Sequence, residues 1–157
     1  MAARNPSPRP RIMAVSSGGG HWVELLRVRP AFEGCDVAYV TVNREYRRDV
    51  PNARFHLVND ATRWSKLAAL WQAFRILVIL MRERPDVIIT TGAAPGYFAL
   101  RMGKWFGART IWLDSIANVE ELSMSGQMSS RFADLWLTQW PHLAGKEGRP
   151  EFAGAVL

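Results

Sequence analysis

Short apolar runs alternate along the chain with stretches in which apolar residues recur at helical spacing. The runs, rich in β-branched and aromatic side chains, predict strands at Arg11–Ser16, Asp36–Thr41, Arg54–Val58, Asp86–Thr90, Arg109–Leu113 and Asp134–Thr138. The helical stretches predict helices at Trp22–Arg29, Trp64–Arg84, Gly96–Phe106 and Val119–Phe132, the last interrupted by Ser and Gly. Prolines at 30, 51, 85, 95 and 141 fall at element boundaries, where a missing N–H is tolerated. Strand–helix alternation of this kind predicts parallel βαβ units, an open α/β sheet in one domain over 11–141. Residues 1–10 read as a flexible leader without the apolar core of a signal peptide, and 142–157 as a Gly-, Ala- and Pro-containing tail. In such a sheet ligands bind beyond the carboxyl ends of the strands. Three of those ends carry suggestive residues: Ser17–His21, Thr91–Gly96 and Asp114–Glu121.

The first of these ends is the most telling. The segment RIMAVSSGGGHWVE runs from a strand through Gly18, Gly19 and Gly20 into a helix. Glycine leaves the backbone bare, and free N–H groups converge at a helix N-terminus, which suits a phosphate or diphosphate. His21 stands at the opening of that helix, and its imidazole exchanges a proton near neutral pH. A simple glycine turn with a capping serine is the plain alternative. The dinucleotide fingerprint is excluded, because counting on from Gly18 and Gly20 lands on Val23, and the P-loop is excluded because Gly20 precedes His21 and Trp22.

The helix at Trp64–Met81, WSKLAALWQAFRILVILM, is more apolar than one covering a single sheet face needs to be. Lys66, Gln72 and Arg75 interrupt it, so it lacks the charge-free span that crosses a bilayer. Two readings stand. Trp64 and Trp71 with Arg63, Lys66, Arg75, Arg82 and Arg84 suit a helix lying on an anionic membrane surface, and the same pattern suits burial against a partner.

Composition narrows the picture. The chain is 48% hydrophobic with a formal net charge of +6, and its pI is near 10.2. Arginine dominates the basic residues, which favours phosphate-bearing or membrane partners; no zinc spacing or aromatic nucleic-acid motif accompanies it. The single Cys35 excludes an internal disulfide, and His21, His56 and His142 have no metal-binding spacing, so no metal is expected.

The strings SSGGGHWVELLRVR, PDVIITTGAAPG and WLDSIANVEELSMSG, in that order, resemble the acceptor-side subunit of split GT-B glycosyltransferases. That family includes the membrane-anchoring subunit of the eukaryotic UDP-GlcNAc transferase of N-glycan assembly. It also includes bacterial exopolysaccharide glucuronosyltransferase subunits, which this chain resembles more. The resemblance, from about Arg11 to Pro141, implies a Rossmann-like open parallel sheet, the N-terminal acceptor half of a GT-B enzyme. It implies no cofactor on this chain, a UDP-sugar held by a separate donor-binding chain, and a lipid-linked diphosphate sugar as acceptor. It further implies a peripheral or monotopic place on the cytoplasmic face of a membrane.

Carried onto this sequence, the resemblance makes His21 the candidate base for the acceptor hydroxyl. Asp114 follows as the acidic residue that orients sugar hydroxyls or the histidine. Ser17, Gly18, Gly19, Gly20, Thr91, Gly92, Pro95, Gly96, Ser115 and Glu120 become acceptor- or diphosphate-binding candidates. Helix capping is the plain alternative for Asp114, Ser115 and Glu121. The chain departs from the family pattern at Asp114, where Glu is usual, and at Asn118 and Gln127, where basic residues are frequent. No N-terminal anchor like that of eukaryotic members is expected from residues 1–10, which places attachment on the Trp64–Met81 helix or a partner. Trp136, Gln139 and Trp140 near the last strand are partner-interface candidates, since aromatics dominate interface energetics; core packing is the alternative for Trp136. A non-catalytic scaffold that recruits a partner glycosyltransferase to the membrane is the competing function.

Overall fold

The computed structural model describes residues 9–61, 65–145 and 149–156. Seven parallel strands form one sheet in the order β3-β2-β1-β4-β5-β6-β7. They are β1 (Arg11–Val15), β2 (Asp36–Thr41), β3 (Arg54–Leu57), β4 (Val87–Thr90), β5 (Arg109–Leu113), β6 (Leu135–Thr138) and β7 (Glu151–Phe152). The helices are α1 (Gly20–Val28), α2 (Lys66–Glu83), α3 (Ala93–Gly103) and α4 (Met124–Ser129), with 3₁₀ turns at Arg29–Phe32, Arg44–Asp49, Lys104–Phe106 and Pro141–Leu143.

Alternation along β1 explains why both faces are covered. Ile12 and Ala14 pack with Trp22 and Leu25 of α1, together with Phe32, Tyr39 and Val50. Met13 and Val15 point the other way, into a larger cluster with Ile76, Ile79 and Leu80 of α2, Leu100 of α3, and Trp112 and Trp136. A strand buried on both sides reads as a continuous apolar run, as β1 and β4 do. The order reverses at β1, whose neighbours are β2 and β4, so the crevice beyond β1 and β4 is the topological switch point.

The elements depart from the sequence reading in three places. Helix α4 is far shorter than Val119–Phe132. Asp114 captures the N–H and hydroxyl of Ser123, and the Ser123 Oγ accepts from Gly126 N, so polar side chains hold 118–123 as loop until the cap at Ser123. Helix α3 begins at Ala93 rather than Gly96, with Pro95 inside its first turn, where no helical N–H is required. Where a tail is expected, Glu151–Phe152 pairs in parallel with β6 and extends the sheet by one short edge strand. Residues 1–8 of the candidate leader (1–10) lie outside the described residues, as do Arg63 and Trp64.

Close packing of α3 on the sheet rests on Gly96, where an added Cβ would stand 2.1 Å from Thr90 Oγ1. Gly96→Ala is expected to cost about 1–3 kcal/mol through overpacking. The melting temperature should fall by several degrees, with secondary structure retained. Asp134 accepts from Lys104 Nζ at 2.7 Å and from Thr110 N at 2.9 Å. The Lys104 hydrogen bond, helped by Thr110, holds its carboxyl below the usual range against a smaller opposing effect of burial. The folded state therefore resists protonation. The contribution is complete above the ordinary carboxylate value of about 3.9 and disappears as pH falls through the lower folded value. Asp134→Asn should flatten the acid limb of a melting-temperature profile below about pH 4, where the wild type loses this contribution.

Candidate functional site

Beyond the carboxyl end of β1 the chain passes through Ser17 and Gly18 to Gly19, the residue that caps α1. Gly19 has φ 63° and ψ −134°, a conformation side chains rarely adopt, and no heavy atom lies within 4 Å of where its Cβ would be. The loop therefore faces open space. No acidic residue occupies the first turn of α1, so its dipole is uncompensated there. The amides of Gly18, Gly20 and His21 have no acceptor among the described residues. Gly19 N donates to Tyr46 Oη at 2.8 Å, which closes one side of the hollow. Tyr46 lies flat on Trp22, with centroids 4.9 Å apart and planes 5° apart, and Trp22 Nε1 donates to Asp49 Oδ2 at 2.8 Å. The 3₁₀ turn after β2 thus forms a wall of the site. Tyr46 went unnoticed in the sequence, where its only signal is a position just past a strand end.

His21 is fixed from across the switch point. Its Nδ1 lies 2.8 Å from the Thr91 carbonyl, and Thr91 Oγ1 donates to the His21 carbonyl at 2.6 Å. A carbonyl only accepts, so Nδ1 carries the proton, and in the neutral ring Nε2 presents its lone pair. Nε2 has no partner among the described residues. Gly92 (φ 135°) packs beneath the ring; a Cβ there would come within 2.8 Å of His21 Cε1.

The third strand end meets the first through Glu24, one turn along α1 from His21 and buried. Glu24 Oε1 accepts from Ser115 Oγ and from Ile116 N, both at 2.9 Å. Asp114 is 1% exposed. Its two oxygens accept from the amides of Ser115 and Ser123, the Ser123 hydroxyl and the Asn118 side chain. A further clash closes this turn, because a Cβ on Gly126 would stand 2.3 Å from Asp114 Oδ2.

Several sequence candidates are therefore reassigned. Asp114 organises its own loop and does not orient His21, because a carboxylate with that many donors has none to spare for the imidazole; the Thr91 carbonyl does it instead. Ser115 is occupied by Glu24. Pro95 and Gly96 are buried, Gly96 against Thr90, and offer nothing to a ligand. Thr91 is fully buried and acts through His21. Ser17 is half-buried beside the glycine loop, with its hydroxyl unpartnered among the described residues. Glu120 is exposed on the loop after β5. Trp136 packs in the core opposite Trp112, and Gln139 is buried between Asp114 O and Val156 N, so both serve the interior. Trp140 stays partly exposed while its Nε1 donates to Ile116 O.

A cavity of about 820 Å³ opens at the opposite end of the sheet, between Arg11, Tyr39 and Arg54. Two of its arginines are already paired, Arg11 with Asp86 and Arg54 with Asp36 and Glu83, so the glycine loop remains the better anion site.

Helix α2 turns a stripe of apolar side chains outward: Leu67, Leu70, Trp71, Phe74, Val78 and Met81 are all exposed, Leu67 at 82%. Lys66 and Arg82 are exposed beside them, and Arg75 and Arg82 line a groove of about 350 Å³ with Phe55, Trp71 and Phe74. Among the described residues, no helix is long and apolar enough to cross a membrane.

Solved structures place this fold. A MurG from Acinetobacter baumannii superposes with a TM-score of 0.73 over 93% of this chain at 14% identity, and a UDP-N-acetylglucosamine 2-epimerase with 0.67 over 85% at 12%. The chain spans 45% and 41% of those two proteins. Sequence relatives include the UDP-N-acetylglucosamine transferase subunit alg14 of Schizosaccharomyces pombe, 32% identical across 68% of this chain. The subunit ALG14 of Yarrowia lipolytica is 27% identical across 94% of it, and that of Homo sapiens 29% across 93%. The chain spans 54% of the S. pombe protein and 68% of the Y. lipolytica protein. Residues 36–156 match the family described as "Oligosaccharide biosynthesis protein Alg14 like", and with that span the chain belongs to the Alg14-like family.

Proposed function

We propose that this chain is the acceptor-binding, membrane-recruiting subunit of a two-chain UDP-sugar glycosyltransferase acting on a lipid-linked diphosphate sugar. One observation carries the reading: His21, held by the Thr91 carbonyl with Nε2 presented, stands beside the unpartnered amides of a glycine loop. The amides of Gly18, Gly20 and His21 bind the acceptor's diphosphate with the help of the α1 dipole. The acceptor hydroxyl lies against Nε2. Its oxygen attacks the anomeric carbon of the UDP-sugar as the bond to UDP breaks, and the hydroxyl proton passes to Nε2. The configuration inverts, and UDP leaves on the donor-binding chain. The names of the sequence relatives support a UDP-N-acetylglucosamine transferase, with N-acetylglucosamine as the sugar moved.

The test uses this chain co-purified with its donor-binding partner, a phytanyl diphosphate carrying one N-acetylglucosamine as acceptor, and UDP-GlcNAc. His21→Ala should lower kcat by about 10²–10⁴-fold, the range for loss of a general base, with acceptor KM nearly unchanged. Equal losses in both would make His21 a phosphate ligand. Gly19→Val should abolish acceptor binding while the domain folds, because a branched side chain fills the hollow and disfavours the φ of 63°. Wild-type turnover in His21→Ala would leave only the recruiting role and favour the scaffold alternative.

The exposed face of α2 supports attachment to an anionic membrane surface. Leu67, Leu70, Trp71, Phe74, Val78 and Met81 would enter the interface, with Lys66, Arg75 and Arg82 at headgroup level. The protein should sediment with vesicles containing anionic lipid, less so at high salt or with Arg75→Glu and Arg82→Glu combined. Sedimentation indifferent to lipid charge would assign the stripe to a protein partner.

A further inference from the structure

We propose that Glu24 is the positioning residue of this site, resting on the reading of His21 as the base. It does two things through its two oxygens. Oε1 holds the turn after β5 by taking both the Ser115 hydroxyl and the Ile116 amide at 2.9 Å. Oε2 leaves a carboxylate charge without a donor on the helix face shared with the histidine that gains a proton during transfer.

The geometry separates these roles. Glu24 is 4% exposed, and Oε2 is enclosed without a hydrogen-bond partner among the described residues. A strut between α1 and the β5 turn needs one accepting oxygen, and Oε1 alone receives both donors. An enclosed carboxylate oxygen with no donor is costly. A neutral amide at this position would make the same two contacts through its own oxygen. The charge itself is therefore the feature to explain. Glu24 follows His21 by three positions on α1, which sets their side chains on one face with Cβ atoms about 5–6 Å apart. From that shared face and in a part-buried setting, a carboxylate favours the imidazolium that forms as the acceptor hydroxyl loses its proton. The Thr91 carbonyl fixes the tautomer and orientation of His21; it carries no net charge to offset the one His21 acquires.

The two contributions of Glu24 come apart in two substitutions, each measured in the co-purified pair with phytanyl-diphosphate-linked N-acetylglucosamine. Glu24→Gln keeps the acceptor oxygen and removes the charge. Amide exchange at Ile116 and the melting temperature should stay close to wild type, and acceptor KM should hold within about two-fold, while kcat falls about ten-fold. Glu24→Asp keeps the charge and shortens the reach. It should expose the Ile116 amide to exchange and raise acceptor KM, with kcat within about two-fold of wild type.

The proposal is overturned if Glu24→Gln turns over like wild type while His21→Ala is inactive, since the charge then contributes nothing. It is equally overturned if kcat in Glu24→Gln falls only in step with lost Ile116 protection, which is the behaviour of a strut. Should Glu24→Gln not fold, Glu24→Asp decides: retained kcat with raised KM sustains the charge role, and lost kcat removes it. Wild-type turnover in His21→Ala would instead defeat the underlying reading of the base.

Discussion

The reciprocal pair of hydrogen bonds between His21 and Thr91 joins the two halves of the sheet's switch point, and much of the site's geometry depends on it. One residue follows β1 and the other follows β4, adjacent strands whose connections leave in opposite directions. Each backbone carbonyl accepts from the other residue's side chain, so neither loop moves without the other. The imidazole tautomer and the tight turn at Gly92 follow from this one contact. Gly92 is required because the ring occupies the space where any Cβ would lie.

Around that pair the site is built in layers. Tyr46, stacked on Trp22, satisfies the Gly19 amide and leaves the neighbouring amides to face the hollow. Glu24 ties α1 to the turn after β5, and Asp114 ties that turn to the start of α4. Three strand ends, far apart in sequence, are thereby held as one rigid rim. A preorganised rim suits transfer chemistry, because donors already aimed at developing charge need no reorganisation when it forms.

The opposite helical layer has a different character. α2 buries Gln72, Ile76, Ile79 and Leu80 against the sheet and leaves a second apolar stripe exposed. An exposed stripe of this kind marks an interaction surface, since a lone soluble domain gains nothing by displaying it. Its arginines Arg75 and Arg82 lie beside the aromatic groove, as the proposed attachment to an anionic surface requires.

The order and type of the elements were determined locally. Six of the strands, the long helix and the glycine turn before His21 follow from periodicity, proline placement and the run Gly18–Gly20, all of which act within a few residues. The resemblance of three short motifs added the family and the split-enzyme reading. The rest was decided by contacts between distant positions. Glu24 and Ser115 are separated by 91 residues, and only the β1–β4–β5 order brings them together. The orienting group for His21 is a backbone carbonyl, which every residue possesses and no sequence pattern marks. Asp114 reads as an acidic residue that orients sugar hydroxyls or the histidine until its own loop's hydrogen bonds are traced, and Trp136 as an interface aromatic until β6 turns it inward. Local spacing fixes which helix or strand forms; strand order fixes which side chains meet, because hydrogen bonds between loops depend on tertiary proximity alone.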